Sequence, residues 1–358
     1  MAKDLAFARQ QAARFRFDGD DSSEASIDNA GELTQARGRF YQDAIEMSPL
    51  LVPELHRRFR IACERLEIPG GLITPFIYSS KEIQGECYAS GDGCIIRFSS
   101  GLVDLLNDSE FEFVVGHELG HFLLNHHTAN SRADHLSLEY FRRRRSQEIS
   151  CDRIGLIACS SLDTALRALM KTISGLTDRH LRFDFLAFVA QLRKVETRAI
   201  DASLTTHPST LIRAKALLWF SLSDFGTHNL TSPALGTQLK QIDERVRRDL
   251  DKFVDGAIRE KIANLKEDLL LWMAATEIVR IGAFSTALQS QMLSRFDRET
   301  VDKLRSFLGS LSKDSAESVV FEKMVSVRSE LERVAPIGIV EQVSALNDQC
   351  RTIINDRA

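Results

Sequence analysis

The stretch from Ser109 to His127 constrains the fold more strongly than any other part of this 358-residue chain. Apolar residues recur in it at three- and four-residue intervals, which predicts a helix with a buried face. Ser109 and Glu112 have the spacing of a capping box, so we expect the helix to begin at Ser109. The apolar positions are Phe113, Val114, Leu119, Phe122 and Leu123. We expect the rest of the chain to be organised around this helix.

Three polar residues interrupt the apolar face of this helix: His117, Glu118 and His121. Two histidines four residues apart project from the same side of a helix, so both imidazoles can reach one ion. Glu118 lies beside them, where its carboxylate can contact a water molecule on that ion. This H-E-x-x-H spacing is typical of zinc metalloproteases, in which the glutamate is the general base. The alternative is two hydrogen-bonded histidines on a half-buried helix with no metal.

A catalytic zinc site needs a third protein ligand, because such sites use three protein ligands and a water molecule. A second helix is predicted from about Ser137 to Ser160, and on it Glu148 and Asp152 lie one turn apart on the same face. We predict that Glu148 is the third metal ligand. Asp152 is then expected to accept a hydrogen bond from a ligating imidazole and to fix its tautomer.

Other assignments stay open at this point. The two carboxylates can instead be surface charges that pair with neighbouring arginines, and Glu139 competes with Glu148 for the metal. His126, His127 and His135 are less favoured ligands. The first two fall at the end of the histidine-bearing helix, where a positive charge interacts favourably with the helix dipole.

Composition narrows the class of protein. A chain of this length can bury a sizeable core and is predicted to form two domains. Its net charge of −4 argues against nucleic-acid binding, and we interpret the basic run Arg142–Arg145 as a solvated helix face. None of the six cysteines forms a C-x-x-C pair, so neither a zinc ribbon nor a redox motif is predicted.

No targeting or membrane segment is recognisable in the sequence. Residues 1–17 are charged throughout and contain no apolar run of signal-peptide length. The longest apolar runs, near Leu269–Ala275 and Phe185–Ala190, are too short to cross a bilayer. We therefore expect a cytoplasmic protein with reduced thiols and no membrane span.

The pattern along the chain predicts a mainly α fold of the α+β class with a small β-sheet. Leu72–Tyr78 alternates like a strand, and Glu86–Ala89 and Cys94–Phe98 flank the turn Ser90–Gly93 as in a hairpin. The second arm of the hairpin is either an edge strand that pairs with an extended substrate or an ordinary core strand.

Three regions are expected along the chain. Residues 1–49 are predicted to be an N-terminal helical segment with a linker, and residues 50–225 to be the domain that carries the histidine pair. Residues 235–358 are almost entirely helical in pattern and carry no recognisable chemistry. We interpret this last region as a helical accessory domain that selects a substrate or a protein partner.

Four segments match one known family in order and in approximate spacing: Phe98–Leu106, His117–His121, Glu148–Gly155 and His207–Arg213. They resemble the zinc peptidases that include CAAX prenyl proteases and HtpX-type heat-shock proteases. The resemblance covers about residues 50–220. It implies a zincin-like metallopeptidase domain of the gluzincin kind, which binds Zn²⁺ through the two histidines and the glutamate identified above.

The same resemblance draws attention to His207 and Arg213. It implies that His207 lies near the metal, where it either donates a hydrogen bond to the oxyanion or occupies the open metal position. Alternatively, His207 and Pro208 only begin a helix over Ser209–Phe220. Arg213 is expected to orient His207 or to pair with a carboxylate, the alternative being an ordinary surface arginine.

The sequence also departs from that family. The family's membrane-spanning helices are absent, so a soluble member is expected. The segment Glu86–Ser90 lacks the asparagine-alanine pair that often marks the substrate-binding strand. Soluble ImmA/IrrE-type peptidases, which cleave regulatory proteins, are a second resemblance, since they also carry His-Glu-Leu-Gly-His followed by an apolar helix end.

Together these patterns predict a zinc-dependent endopeptidase that acts on a protein or peptide substrate. Metal-activated water would attack the peptide bond while Glu118 shuttles the proton. The alternative is a regulatory or binding protein with a latent or structural zinc site, whose C-terminal helices bind a protein partner. A purely structural site needs no Glu118, which favours the enzyme.

Overall fold

The structure is a computed structural model that describes residues 4–17, 20, 30–126, 137–194, 208–223, 238–336 and 338–355. It divides into two units. The first comprises Met1–Asn130 and Phe141–Val254, and the second comprises Ser131–Tyr140 and Asp255–Ala358. Three histidines considered above, His127, His135 and His207, lie outside the described residues.

The first unit contains a four-stranded mixed sheet built from β1 (Ala44–Glu46), β2 (Ile73–Tyr78), β3 (Gly85–Ser90) and β4 (Gly93–Ser99). The strand order is β1-β2-β4-β3. β2 and β4 are parallel, and the other two pairs are antiparallel. The predicted hairpin is confirmed, but its second arm, β4, is an interior strand. The first arm, β3, lies at one edge of the sheet, and β1 lies at the other.

Helices make up most of the remaining structure. Up to residue 250 they are α1 (Leu5–Ala13), α2 (Ala30–Asp43), α3 (Pro53–Arg65), α4 (Ser100–Leu105), α5 (Asp108–Leu123), α6 (Leu138–Cys159), α7 (Leu162–Ser174), α8 (Phe185–Ala190), α9 (Thr210–Ser221) and α10 (Leu239–Leu250). The fold predicted from the sequence, mainly α with a small sheet, is confirmed. Within the described ranges, no helix has the length and hydropathy that a membrane span requires.

The helix that carries the histidines, α5, is buried on every side and not on one face alone. From Glu110 to Leu123, each of its residues except His121 is buried. It packs against β3, α1, α3 and α7, so the sheet and several helices enclose it. The core cluster around it includes Phe98, Phe111 and Phe122.

α5 begins earlier than predicted. The side chain of Asn107 accepts hydrogen bonds from the backbone N–H groups of Ser109 and Glu110, at 3.1 and 2.9 Å. Glu110 in turn accepts from the backbone N–H of Asn107 at 2.8 Å. The capping box is therefore Asn107–Glu110, and the predicted box at Ser109 is wrong. Glu112 is buried and instead forms an ion pair with the half-buried Arg58 of α3 at 2.9 Å.

The run Arg142–Arg145 in α6 is also not the solvated face that we expected. Arg145 is fully buried, and the other three arginines are partly buried. The long alkyl stem of an arginine can pack against apolar side chains and become buried. The periodicity of the sequence alone does not show which arginines are buried in this way.

α5 and α6 approach each other closely because glycines lie at their contact. A Cβ atom at Gly116 would lie only 2.3 Å from Cβ of Ala158 and 3.0 Å from Cα of Gly155. A Cβ atom at Gly120 would lie 3.1 Å from Cα of Cys151. Larger residues at these positions would therefore move α6 and the side chains it directs at α5.

The second unit is helical and has its own core. Its helices are α11 (Gly256–Ile281), α12 (Thr286–Leu293), α13 (Arg298–Ser310), α14 (Lys313–Val334) and α15 (Ile339–Asn355). Leu269, Leu270, Ala274 and Met292 are among its fully buried core residues. The helical character expected for residues 235–358 is observed, while the domain boundaries proposed from the sequence stay predictions.

Replacing Gly116 with alanine is expected to destabilise the first unit, because the new methyl group overlaps Ala158. Overpacking of this kind should lower the free energy of unfolding by about 1–3 kcal/mol, measured by denaturant titration. Gly38→Ala in α2 is the matched control, since nothing lies within 4 Å of its new Cβ atom. It should be neutral or stabilising by up to about 1 kcal/mol. Equal stability of the two variants would contradict the close approach.

Candidate metal centre

Two imidazoles from α5 form the middle of the site. The ring centroids of His117 and His121 are 5.1 Å apart. Each ring directs its Nδ1 atom away from the other: His117 Nδ1 lies 3.0 Å from Oδ1 of Asp152, and His121 Nδ1 lies 3.0 Å from Nδ1 of His126. The two Nε2 atoms are therefore the ones that can meet at a common ligand.

Glu148 of α6 faces both Nε2 atoms. Its Oε2 atom lies 3.3 Å from Nε2 of His117, and its Oε1 atom lies 3.5 Å from Nε2 of His121. Glu148 is 1% exposed, so the alternative that it is a surface charge is wrong. Two ligands of a tetrahedral zinc ion with bonds of about 2.0–2.1 Å are separated by about 3.4 Å. The separation of the Glu148 carboxylate from each of the two imidazoles therefore fits a shared zinc ion.

Asp152, one turn along α6 from Glu148, connects His117 to α9. Arg213 of α9 donates two hydrogen bonds to it, from Nε to Oδ2 at 2.8 Å and from Nη2 to Oδ1 at 2.6 Å. Burial raises the pKa of Asp152, but the positive charge and hydrogen bonds of Arg213 outweigh this and hold it below its ordinary value. Asp152 is ionised, so it can accept a hydrogen bond from Nδ1–H of His117 and leave Nε2 of that ring unprotonated.

The charges of the site favour a cation. Burial raises the pKa of Glu148, but His117, His121 and Arg213 outweigh it and hold the pKa well below its ordinary value. Glu148 and Asp152 then carry two negative charges, against one positive charge on Arg213. Burial lowers the pKa of His117, but its hydrogen bonds to the two carboxylates raise it to about 10. The pair of carboxylates therefore attracts one further positive charge, which either a proton or a metal ion at Nε2 of His117 supplies.

Glu118 lies beside the imidazoles and against the edge strand. A Cβ atom at Gly85, the first residue of β3, would lie 2.9 Å from its Oε1 atom. Burial raises the pKa of Glu118 to about 7, with a smaller opposing effect from His117. A carboxyl group with this pKa can both accept and release a proton near neutral pH, which general acid–base catalysis requires.

Cys151 is a residue of the site that sequence patterns did not identify. One ligand atom from each of His117, His121 and Cys151 lies within 4.8 Å of the others. Burial raises the pKa of the Cys151 thiol well above its ordinary value, and nearby carboxylates including Glu148 act in the same direction. The thiolate is the metal-binding form, so a metal ion would have to displace the thiol proton of Cys151, whereas Glu148 is already ionised. The i, i+3 spacing of Glu148 and Cys151 was the signal available in the sequence.

The sequence analysis considered His126 only as a less favoured ligand, and it did not identify Asp20 or the contact between the two. His126 does not present a positive charge at the end of α5 as expected, since it is buried and its burial lowers its pKa. Its Nε2 atom lies 3.0 Å from the Asp20 carboxylate. Burial raises the pKa of Asp20, but the hydrogen bond and charge of His126 outweigh this and lower it. Asp20 lies 106 residues away in the chain, so no local spacing reveals the contact.

Six of the residues predicted for the site lie together in the structure. They are His117, Glu118, His121, Glu148, Asp152 and Arg213. Arg213 is not a surface arginine, because it is held by Asp152. His207 lies outside the described residues, so its position near the metal and its relation to Arg213 stay predictions.

Parts of this chain are similar in sequence to known metallopeptidases. Residues 49–142 match peptidase family M48. Metalloprotease YcaL of Escherichia coli K12 is 41% identical over 59 residues, which are 16% of this chain and 22% of that protein. Metalloprotease LoiP of the same organism is 44% identical over 50 residues, 14% of this chain and 19% of that protein. The plastoglobule-localized metallopeptidase 48 of Arabidopsis thaliana chloroplasts is 25% identical over 156 residues, 36% of this chain and 45% of that protein.

These matches confirm the likeness to a zinc metallopeptidase family that the sequence motifs predicted, without selecting a subfamily. The chain spans about a fifth of the length of the two bacterial relatives and under half of the plant one. The M48 match includes His117, Glu118 and His121 but ends at residue 142, before Glu148. No solved structure gives a significant match.

The raised pKa of Glu118 predicts a pH-dependent effect of Glu118→Gln on the stability of protein stripped of metal. The folded-state pKa of about 7 exceeds the ordinary value of 4.5, so wild-type stability falls as pH rises through this interval. Glu118→Gln has no carboxyl group to ionise at this position, so its stability does not fall in this way. The free energy of unfolding of the variant, minus that of wild type, should therefore increase by about 3 kcal/mol between pH 4.5 and pH 8. Urea titration at each pH measures this difference. An advantage that does not change with pH would contradict the raised pKa.

Proposed function

We propose that this chain, whose residues 49–142 match peptidase family M48, is a zinc-dependent endopeptidase. The observation that carries the proposal is the convergence of three donors, Nε2 of His117, Nε2 of His121 and the carboxylate of Glu148, beside the carboxyl group of Glu118. Two histidines and a glutamate form a catalytic ligand set, and three protein ligands leave a position for water.

Each residue of the site has a role in this proposal. Zinc in such a donor set acts as a Lewis acid and lowers the pKa of a coordinated water molecule to about 7. Glu118 accepts the proton of the attacking water on a carboxylate oxygen and then donates it to the leaving amine. Asp152 accepts the hydrogen bond from Nδ1–H of His117 and so keeps Nε2 available. Arg213 keeps Asp152 ionised and in place through its two hydrogen bonds.

The edge strand β3 supports an extended peptide as the substrate. Among the described residues, β4 is the one strand paired with it, and an extended chain can pair with its other side by main-chain hydrogen bonds. Gly85 places the start of β3 against Glu118, so a peptide along β3 would pass the general base. An extended segment that continues past the site on both sides is cut internally, which is why we propose an endopeptidase. The second unit is proposed to select the substrate or to bind a protein partner.

A structural zinc site is the second candidate, and Cys151 is the observation that favours it. Its Sγ atom is near enough to both histidines to be a fourth ligand, and four protein ligands would close the site to water. In that case the chain would be a regulatory or binding protein. The presence of Glu118, which a closed site does not use, favours the peptidase.

Glu118→Gln is expected to remove peptidase activity and to leave zinc binding intact, because it deletes the proton acceptor without altering a ligand. Cleavage of fluorescein-labelled casein should fall by about 10²–10⁴-fold, while elemental analysis should find the same zinc content as in wild type. Glu112→Gln is the matched control, a buried glutamate on the same helix that pairs with Arg58. A chelator should abolish wild-type cleavage. Casein cleavage by Glu118→Gln at the wild-type rate would remove Glu118 from the mechanism.

The third ligand is tested by comparing Glu148→Gln with Cys151→Ala. Loss of a charged ligand should raise the Kd for zinc by at least about 100-fold, more than loss of an outer hydrogen-bond partner does. Cys151→Ala should leave the Kd within a few-fold of wild type. Competition with a chromophoric chelator measures both. A large rise of the Kd in both variants would support a closed site with four protein ligands and the regulatory alternative. The reverse order would replace Glu148 by Cys151 as the third ligand.

A further inference from the structure

From the metal centre, His121 is linked through two buried side chains, His126 and Asp20, to the N-terminal part of the protein. His121 Nδ1 lies 3.0 Å from Nδ1 of His126, and His126 Nε2 lies 3.0 Å from the Asp20 carboxylate. The side chains of His126 and Asp20 are 1% and 0% exposed. The proposed mechanism uses neither His126 nor Asp20, and both lie in the first unit.

The backbone that carries Asp20 is fastened to α6. The backbone N–H of Phe17 donates to Oγ of Ser150 at 2.9 Å, and Arg153 donates to the carbonyl oxygen of Phe15 at 3.3 Å. We call the described residues 15–17 and 20 the strap. Hydrogen bonds hold it to α6, the helix that carries Glu148. The strap precedes residues 49–142, the part of the chain that matches peptidase family M48.

The directions of the hydrogen bonds follow from the ligand role of His121. A ring that binds a metal through Nε2 carries its proton on Nδ1, so His121 donates to His126. Nδ1 of His126 is then the acceptor, and Nε2 of the same ring carries the proton. That proton is donated to the carboxylate of Asp20, which can only accept while it is ionised. Sγ of Cys151, 3.4 Å from His126 Nδ1, can donate to the same acceptor.

We propose that His126 and Asp20 are positioning residues that fix the tautomer and ring orientation of His121 for metal binding. They do for His121 what Asp152 and Arg213 do for His117, so each histidine ligand has its own outer support. The inference rests on the proposed function only in taking His121 to be a metal ligand. It makes the strap a part of the metal centre, although the strap lies outside the matched family segment.

Two substitutions of His126 test the proposal in the full-length protein. Asparagine can place its side-chain oxygen where Nδ1 of His126 lies and accept from His121, whereas leucine fills more of the space but cannot accept. The Kd for zinc, measured by competition with a chromophoric chelator, should rise 10–100-fold in His126→Leu. It should stay within a few-fold of wild type in His126→Asn. A role in packing alone predicts the opposite order, because leucine leaves the smaller cavity.

Nitrogen-15 NMR of the histidine-labelled, zinc-loaded protein gives a second readout that a packing role would not affect. His126 should carry its proton on Nε2, and His121 on Nδ1. Glu112→Gln is the control. It removes a buried charge that contacts neither His121 nor His126, so this variant should bind zinc with the affinity of wild type.

The outcomes separate the inference from the function on which it rests. Wild-type zinc affinity in His126→Leu, or a proton on Nδ1 of His126, would overturn the inference and leave the peptidase proposal standing. Wild-type protein that binds no zinc would overturn both. Weaker binding in His126→Leu together with rescue in His126→Asn supports the inference, even if the protein cleaves no casein.

Discussion

The contact between α5 and α6 is the constraint on which the rest of the site depends. Two imidazoles four residues apart do not complete a catalytic zinc site, and Glu148, the third donor that we propose, lies on a separate helix. Glycines at 116, 120 and 155 let the helix backbones approach closely enough for the short Glu148 side chain to reach both Nε2 atoms. Because the helices pack this closely, a methyl group added at Gly116 would overlap α6 and destabilise the contact.

The burial that this contact produces determines the electrostatics of the site. Two carboxylates on α6 are removed from water, which is unfavourable unless positive charge accompanies them. Arg213 supplies one such charge, and a metal ion or a proton on His117 supplies the other. The same burial raises the pKa of Glu118 to about 7. The packing of α5 against α6 therefore creates a site that attracts a cation, next to a carboxyl group that can exchange a proton near neutral pH.

Much of this site could be predicted from the sequence because most of its residues lie on two helices, α5 and α6. The spacings His117–His121 and Glu148–Asp152 each correspond to one turn, and they needed only the correct assignment of α5 and α6. Features set by distant contacts could not be predicted. Asp20 reaches His126 across 106 residues, and β4 became an interior strand because β2 pairs with it in parallel. The helix start was missed because Asn107 and Ser109 are both good N-caps, and only the structure distinguishes them.

The most direct measurement of the central claim is a crystal structure of the zinc-loaded protein with diffraction data collected at the zinc absorption edge. We expect one anomalous peak about 2.0–2.2 Å from Nε2 of His117, from Nε2 of His121 and from a carboxylate oxygen of Glu148. A fourth position should be open to solvent. A zinc ion held about 2.3 Å from Sγ of Cys151, with Glu148 turned away, would contradict it.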